Sequence, residues 1–253
     1  MASDPVPLVL LHGLLGDAED WRPVIQALAG IECHALDLPG HGRNQAVRVS
    51  GFDEAHRWLR DELATRDITH YRLVGYSLGG RLALHHASLS PTGLQALLLE
   101  NCHPGLPEAE RAARLVHDEL WASRFEHEPL TRVLADWYRQ GVFADLDEEA
   151  RARQAARRLG NDGQAVATML RATSLGRQPD LAPWLGETRL PVHWVSGNRD
   201  HKFHALACQL VKQGCNIKHL ALDGGHNLHA GQPDTFARLL WEWVNQPEEK
   251  IHD

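Results

Sequence analysis

The chain has 253 residues, 43% hydrophobic and 23% charged, with a net charge of −7. That is enough apolar material for one large domain or two small ones, and the acidic balance gives no electrostatic footprint for nucleic acid or an anionic membrane. The 17 histidines form no H-E-x-x-H and the four cysteines (Cys33, Cys102, Cys208 and Cys215) no C-x-x-C, so no metal, no disulfide framework and a reduced, cytoplasmic setting are expected.

Met1–Pro5 shows neither a basic start nor an apolar stretch, so no secretory signal is expected. Pro7–His12 is a short continuous apolar run, the pattern of a strand buried on both faces, and the glycine-rich His12-Gly13-Leu14-Leu15-Gly16 follows it. A helical pattern over Trp21–Ala29 has Asp17 and Asp20 near its start, where a helix N-terminus favours acids. The second strand, Glu32–Asp37, runs into Asp37-Leu38-Pro39-Gly40-His41-Gly42. This reads as a rigid turn, with His41 as a ligand or base the minor alternative.

A helix over Phe52–Thr65 precedes a strand at Tyr71–Tyr76, a helix at Leu78–Ser88 and a strand at Leu94–Glu100. From Pro104 to Asp180 no strand pattern appears. Amphipathic helical patterns occupy Ala109–Phe125, Leu130–Gln140, Glu148–Leu159 and Gln164–Thr173 instead. Alternation then resumes with a strand at Val192–Ser196, a helix at His204–Lys212, a strand at Ile217–Leu222 and a helix at Pro233–Val244. Alternating strands and helices predict an α/β fold with a mostly parallel sheet covered on both faces. The expected organisation is a core from 1–103 and 181–253 with a helical cap inserted at 104–180. None of the apolar runs is long enough to span a bilayer, so no membrane insertion is expected. Composition leaves the oligomeric state open, with a monomer the simpler expectation.

Gly75-Tyr76-Ser77-Leu78-Gly79 matches G-x-S-x-G between a strand and a helix. In that setting the serine stands at a sharp strand-to-helix bend, which makes Ser77 a candidate nucleophile or base in preference to a turn residue. An activated serine needs a histidine and an orienting acid, in the order Ser, acid, His for such an elbow. Asp200 lies just past the Val192–Ser196 strand, and His226 follows the Gly224-Gly225 pair after the last strand. Each has a plain alternative as a loop residue. Glu100 is a second candidate acid and His229 a competing histidine. For a developing oxyanion, two backbone N–H groups are needed, and Leu14 and Leu78 are the expected donors.

Together, Leu11-His12-Gly13, Asp37–Gly42, Gly75–Gly79, Gly197–Asp200 and Gly225-His226 resemble the α/β-hydrolase superfamily over essentially the whole chain. Usual members begin with two further strands, so a sheet shorter by that pair is implied. A narrower set runs through the cap: Gly80-Arg81, His103-Pro104-Gly105-Leu106, Glu128-Pro129-Leu130-Thr131, Ala135-Asp136-Trp137-Tyr138, Val142-Phe143-Ala144, Gln178-Pro179-Asp180-Leu181 and Arg199–Phe203. It resembles the 2-succinyl-6-hydroxy-2,4-cyclohexadiene-1-carboxylate synthases of menaquinone biosynthesis. The chain departs from that pattern at Asn101-Cys102, where glycines are expected, and at Gly141, where proline is usual.

The resemblance implies a lyase that eliminates pyruvate from a small tricarboxylate, 2-succinyl-5-enolpyruvyl-6-hydroxy-3-cyclohexene-1-carboxylate, with no cofactor. It also implies carboxylate-binding roles for Arg81, Arg114 and Arg158. Arg81 has an independent case, being one helical turn past Ser77. Lys202, one of four lysines against 22 arginines, sits beside the expected acid. Tyr76, Trp137 and Phe143 would line a ring pocket, with plain core packing the alternative for the last two. A serine esterase using the same triad, or a non-catalytic binding protein on the same fold, are the competing readings.

Overall fold

The computed structural model describes residues 6–245, so Met1–Pro5 lie outside the described residues. Six strands form one parallel sheet in the order β2-β1-β3-β4-β5-β6. They are β1 (Leu8–Leu11), β2 (Cys33–Leu36), β3 (Tyr71–Tyr76), β4 (Leu94–Glu100), β5 (Val192–Gly197) and β6 (Lys218–Leu222). The mostly apolar runs without alternation are the ones buried on both sides: all four residues of β1 and the last five of β4 are buried.

Around the sheet core run α1 (Arg22–Ala27), α2 (Phe52–Ala64) and α3 (Leu78–Ser88). The segment between β4 and β5 carries α4 (Glu108–His127), α5 (Leu130–Trp137), α6 (Glu148–Arg157), α7 (Gly163–Ala172) and α8 (Ala182–Glu187). Past β5 come α9 (His201–Lys212), α10 (Leu228–Gly231) and α11 (Pro233–Asn245). The short α8 and α10 are additions to the sequence reading. Each is under two turns long, too short to display a helical period.

One face of the sheet packs on α2, α3, α8 and α9 through Phe52, Leu59, Leu82, Leu185 and Leu210. The other packs on α1, α10 and α11 through Val24, Leu228, Phe236, Leu240 and Trp243. A third apolar cluster, with Ala122, Phe125, Val133, Leu134, Val166 and Leu170, belongs to the inserted helices and takes in Leu15 from the loop after β1. Through Leu15 the insertion grips the loop that borders the strand ends.

The chain moves outward from β1 in both directions, to β2 on one side and β3 on the other. In open parallel sheets the crevice at such a reversal, beyond the carboxyl ends of the strands, is where ligands bind. Leu11 of β1 pairs with Gly75 of β3, so the loops carrying Leu14 and Ser77 leave the sheet side by side.

Candidate active site

Ser77 sits between β3 and α3 with φ 49° and ψ −109°, a left-handed backbone that non-glycine residues rarely adopt. The neighbouring glycines allow this bend through close packing. A Cβ at Gly75 would meet Gly79 O and Gly80 Cα at 2.6 Å, and one at Gly79 would meet the carbonyls of Leu11 and His12 at 2.4 Å. The amide of Ser77 donates to Glu100 O (2.9 Å), tying the bend to β4.

His226 Nδ1 donates to Asp200 Oδ2 at 2.6 Å, and His226 Nε2 lies 3.3 Å from Ser77 Oγ. The acid–base contact fixes the imidazole with its proton on Nδ1, leaving Nε2 to accept from the hydroxyl. Asp200 is held in turn, because its Oδ1 caps α9 by accepting the Phe203 N–H at 3.2 Å. Tyr76, Phe143 and Phe203 enclose the His226 ring, with centroids 5.4, 5.8 and 4.8 Å away. This set is a serine with a base in reach and an oriented base, sufficient for proton abstraction or nucleophilic attack.

Glu100 and His229 form a separate pair. His229 Nδ1 donates to Glu100 Oε2 (2.7 Å), and Glu100 Oε1 accepts the N–H groups of Leu228 and His229. Both side chains are fully buried, and neither is hydrogen-bonded to Ser77.

Leu14 borders the same cavity as His226, and Leu78 opens α3 directly after Ser77. Among the described residues neither amide donates a hydrogen bond within the protein. The loop bearing Leu14 is fastened by two buried histidines. His41 Nε2 accepts the Leu15 N–H at 3.0 Å while its Nδ1 donates to Pro39 O. His12 Nε2 accepts the Leu38 N–H, and its Nδ1 donates to Gly13 O. Burial lowers the pKa of both, that of His41 to about 3, so both are neutral, as these hydrogen bonds require. His41 is therefore a tie between two loops, consistent with the rigid-turn reading of its segment.

Arg81, four residues past Ser77, belongs to a group of cations with Arg114 and Lys202. Arg81 donates to Thr173 O at 2.8 Å and reaches Gln178 Oε1 at 3.5 Å, but makes no ion pair among the described residues. It is partly accessible yet deep in the protein; burial and then the charge of Arg114 lower its pKa to about 10. Lys202 is exposed, and its pKa is lowered by desolvation and by Arg114. Arg114 Nε binds Asp118 Oδ1 at 2.7 Å, and Asp118 also accepts from Ser174 Oγ.

A cavity of about 150 Å³ is lined by His226 and by Leu14, Tyr76, Trp137, Tyr138, Phe143 and Arg158 among others. Trp137 borders it and also packs against Trp121 and Phe125.

The chain matches the α/β-hydrolase fold family over residues 6–233. A 2-succinyl-6-hydroxy-2,4-cyclohexadiene-1-carboxylate synthase from Yersinia enterocolitica is 46% identical over 241 residues, covering 94% of this chain and 86% of that protein. The chain belongs to this synthase family. A structure of MenH from S. aureus superposes with a TM-score of 0.87 at 27% identity, covering 96% of this chain and 94% of that one. An esterase from Thermogutta terrifontis, 18% identical over 94% of this chain and 89% of its own, has a TM-score of 0.79 and shares the fold alone.

Within the synthase family frame, the structure splits the expected arginines. Arg81, Arg114 and Lys202 share one electrostatic neighbourhood. Arg158 stands apart as a buried two-pronged ion pair with Asp20, with Nη1 to Oδ1 at 2.9 Å and Nη2 to Oδ2 at 2.8 Å. Burial works to raise the Asp20 pKa, but the charge and hydrogen bonds of Arg158 outweigh it and lower it. Arg158 Nε is buried without a partner, so the guanidinium is not saturated.

His103 is a site neighbour that sequence reasoning named only as part of a motif. Burial, then the charges of Lys202, Arg81 and Arg114, lowers its pKa to about 3. Its Nδ1 accepts the Gly105 N–H, which leaves the proton on Nε2 as a neutral donor beside the cations. Gln178 joins the two, accepting from Arg81 and donating to His103 O at 2.8 Å. Among the described residues no group of three or more His, Cys, Asp or Glu is arranged to hold a metal, and no helix is long and apolar enough to cross a membrane.

Proposed function

We propose that this chain eliminates pyruvate from 2-succinyl-5-enolpyruvyl-6-hydroxy-3-cyclohexene-1-carboxylate to give 2-succinyl-6-hydroxy-2,4-cyclohexadiene-1-carboxylate, acting as a carbon–oxygen lyase. The observation that carries this reading is Arg81, a desolvated guanidinium without a carboxylate partner among the described residues, one turn past Ser77. A cation removed from water without a counter-charge is costly, and a tricarboxylate supplies that charge. The names of the relatives agree with it.

In the mechanism, His226 takes the Ser77 hydroxyl proton and Ser77 Oγ removes the ring proton α to the succinyl ketone. Asp200 keeps His226 in the tautomer that can accept. The charge forming on the ketone oxygen rests on the N–H groups of Leu14 and Leu78. As the ketone carbonyl re-forms, the electron pair makes the C2=C3 bond, the C3=C4 double bond moves to C4=C5, and the C5–O bond to enolpyruvate breaks. Enolpyruvate takes up a proton and leaves as pyruvate, so no acyl-enzyme and no cofactor enter.

Arg81, Arg114 and Lys202 would hold carboxylates on one side and Arg158 on the other, with Tyr76, Trp137 and Phe143 against the ring. Residues 104–180 act as the cap over a core of 1–103 and 181–253, supported by the separate apolar cluster of the inserted helices. A cytoplasmic setting goes with this reading, supported by four unpaired cysteines.

The experiment is direct. Purified protein incubated with the enolpyruvyl substrate should release pyruvate stoichiometrically with formation of the diene. Fast turnover of activated acyl esters, a burst of product and no pyruvate would replace the lyase reading with the esterase one.

A further inference from the structure

Asn101 follows β4 fully buried and with φ +41°, a left-handed conformation that glycine adopts freely and asparagine tolerates. Its side chain is used at both ends. Nδ2 donates to His226 O at 2.7 Å and to Gly225 O at 3.2 Å, and Oδ1 accepts the Gly197 N–H at 3.2 Å. Its own amide donates to Val195 O at 2.9 Å. Gly197 begins the turn that ends at Asp200, whose amide donates to Gly197 O at 3.1 Å. The preceding residue, Glu100, accepts the Ser77 N–H on its carbonyl. A single dipeptide at the end of β4 thus touches the serine bend, the acid turn and the histidine loop.

The histidine loop needs such a fastening. Its approach is Gly224-Gly225, and glycines leave the backbone the widest freedom. The backbone is fastened on either side, Gly224 to Asn198 Oδ1 and to the Arg199 N–H, Leu228 and His229 to Glu100 Oε1, and Asp200 holds the imidazole at Nδ1, which leaves the His226 carbonyl between them to Asn101. Among the described residues no other side chain bonds the His226 backbone. Two fixed points, one on the ring and one on the carbonyl, determine where Nε2 lies relative to Ser77 Oγ.

We propose that Asn101 is a positioning residue that acts through His226: its amide locks the histidine loop to the acid turn and keeps Nε2 in line with the Ser77 hydroxyl. This rests on the reading of Ser77, His226 and Asp200 as the proton-abstracting set.

The test uses two variants of the full chain. Asn101→Gly keeps the left-handed backbone unstrained and deletes the amide. Asn101→Asp retains an acceptor for Gly197 and loses both donors. The expected result for Asn101→Gly is a folded protein with a lowered melting temperature, since buried partners lose their hydrogen bonds, a fall in kcat for pyruvate release on the order of 10–100-fold measured well below that temperature, and a KM within about twofold, since a misplacement of about 1 Å can cost that much. The downfield proton resonance of His226 Nδ1–H should weaken through faster exchange. Asn101→Asp should do no better, because the donors are what hold the carbonyl. Parent-like kcat and an unchanged resonance in Asn101→Gly would overturn the proposal, as would full activity in Asn101→Asp. If the parent itself releases no pyruvate, the functional reading fails, while the His226 resonance still decides the role of Asn101.

Discussion

Two carboxylate–histidine pairs lie three residues apart in the chain at their histidines, Asp200–His226 and Glu100–His229, with nearly equal contacts of 2.6 and 2.7 Å. Only one of them can work on a substrate. His226 presents Nε2 to Ser77 Oγ and borders a cavity. His229 lies flat against Trp21 at 3.9 Å with its Nε2 buried and unpartnered, and Glu100 spends its second oxygen on two backbone amides. A histidine oriented by an acid is therefore not a site in itself. The distinction is whether the far nitrogen faces a reactive hydroxyl or the core. In the proposed mechanism the first pair carries the proton path, and the second holds the loop that carries the first.

The contrast can be broken most severely at the working pair. Ser77→Ala or His226→Ala should lower kcat for pyruvate release by about 10³–10⁴-fold, with the melting temperature nearly unchanged. Near-parental turnover in either variant would remove the serine-base mechanism. His229→Ala should show the opposite profile. It strands the buried Glu100 carboxylate, so chemical denaturation should register a loss of about 3–5 kcal/mol, with a smaller loss of kcat in the molecules that remain folded.

Arg81→Ala tests the substrate side of the working pair. A loss of about 2–5 kcal/mol in kcat/KM is expected if a buried carboxylate loses its partner, and an unchanged value would make Arg81 a structural residue. The gentlest effect is on pH. Burial holds His41 and His86 down to about 3 in the folded protein, against an ordinary value of 6.5. Because the unfolded chain binds their protons first, their contribution is fully present above that ordinary value. It is lost as pH falls toward the folded one, by at most about 1.4 kcal/mol per unit for each histidine. Urea midpoints measured at pH 7 and pH 5 should drop accordingly, and His86→Leu should flatten the slope; a slope that His86→Leu leaves untouched would show that this histidine is not responsible.

Much of this was legible before any coordinates. The strands Tyr71–Tyr76 and Leu94–Glu100 have the same limits in the structure as in the sequence reading, because runs buried on both faces are mostly apolar, as Leu73-Val74 and Leu97–Leu99 are here. Helix Leu78–Ser88 also keeps its limits, set by the serine bend at its start. The inserted helices begin and end within a few residues of their patterns, and the added α8 and α10 fall where one turn leaves no period to read.

Local pattern alone was enough for the order of elements, the bend at Ser77 and the candidates Asp200 and His226, since strands, turns and an elbow are written in neighbouring residues. Tertiary structure decided everything that depends on partners far apart in the chain. Arg158 meets Asp20 across 138 residues, His229 meets Glu100 across 129, and the Asn101 amide reaches the His226 carbonyl across 125. Whether a charge is spent on an internal partner or left for a ligand is a matter of distance and burial. Residue type cannot carry that information: Arg81 and Arg158 are the same side chain, but Arg158 has an internal carboxylate on both Nη atoms with Nε left over, whereas Arg81 meets only carbonyl and amide oxygens.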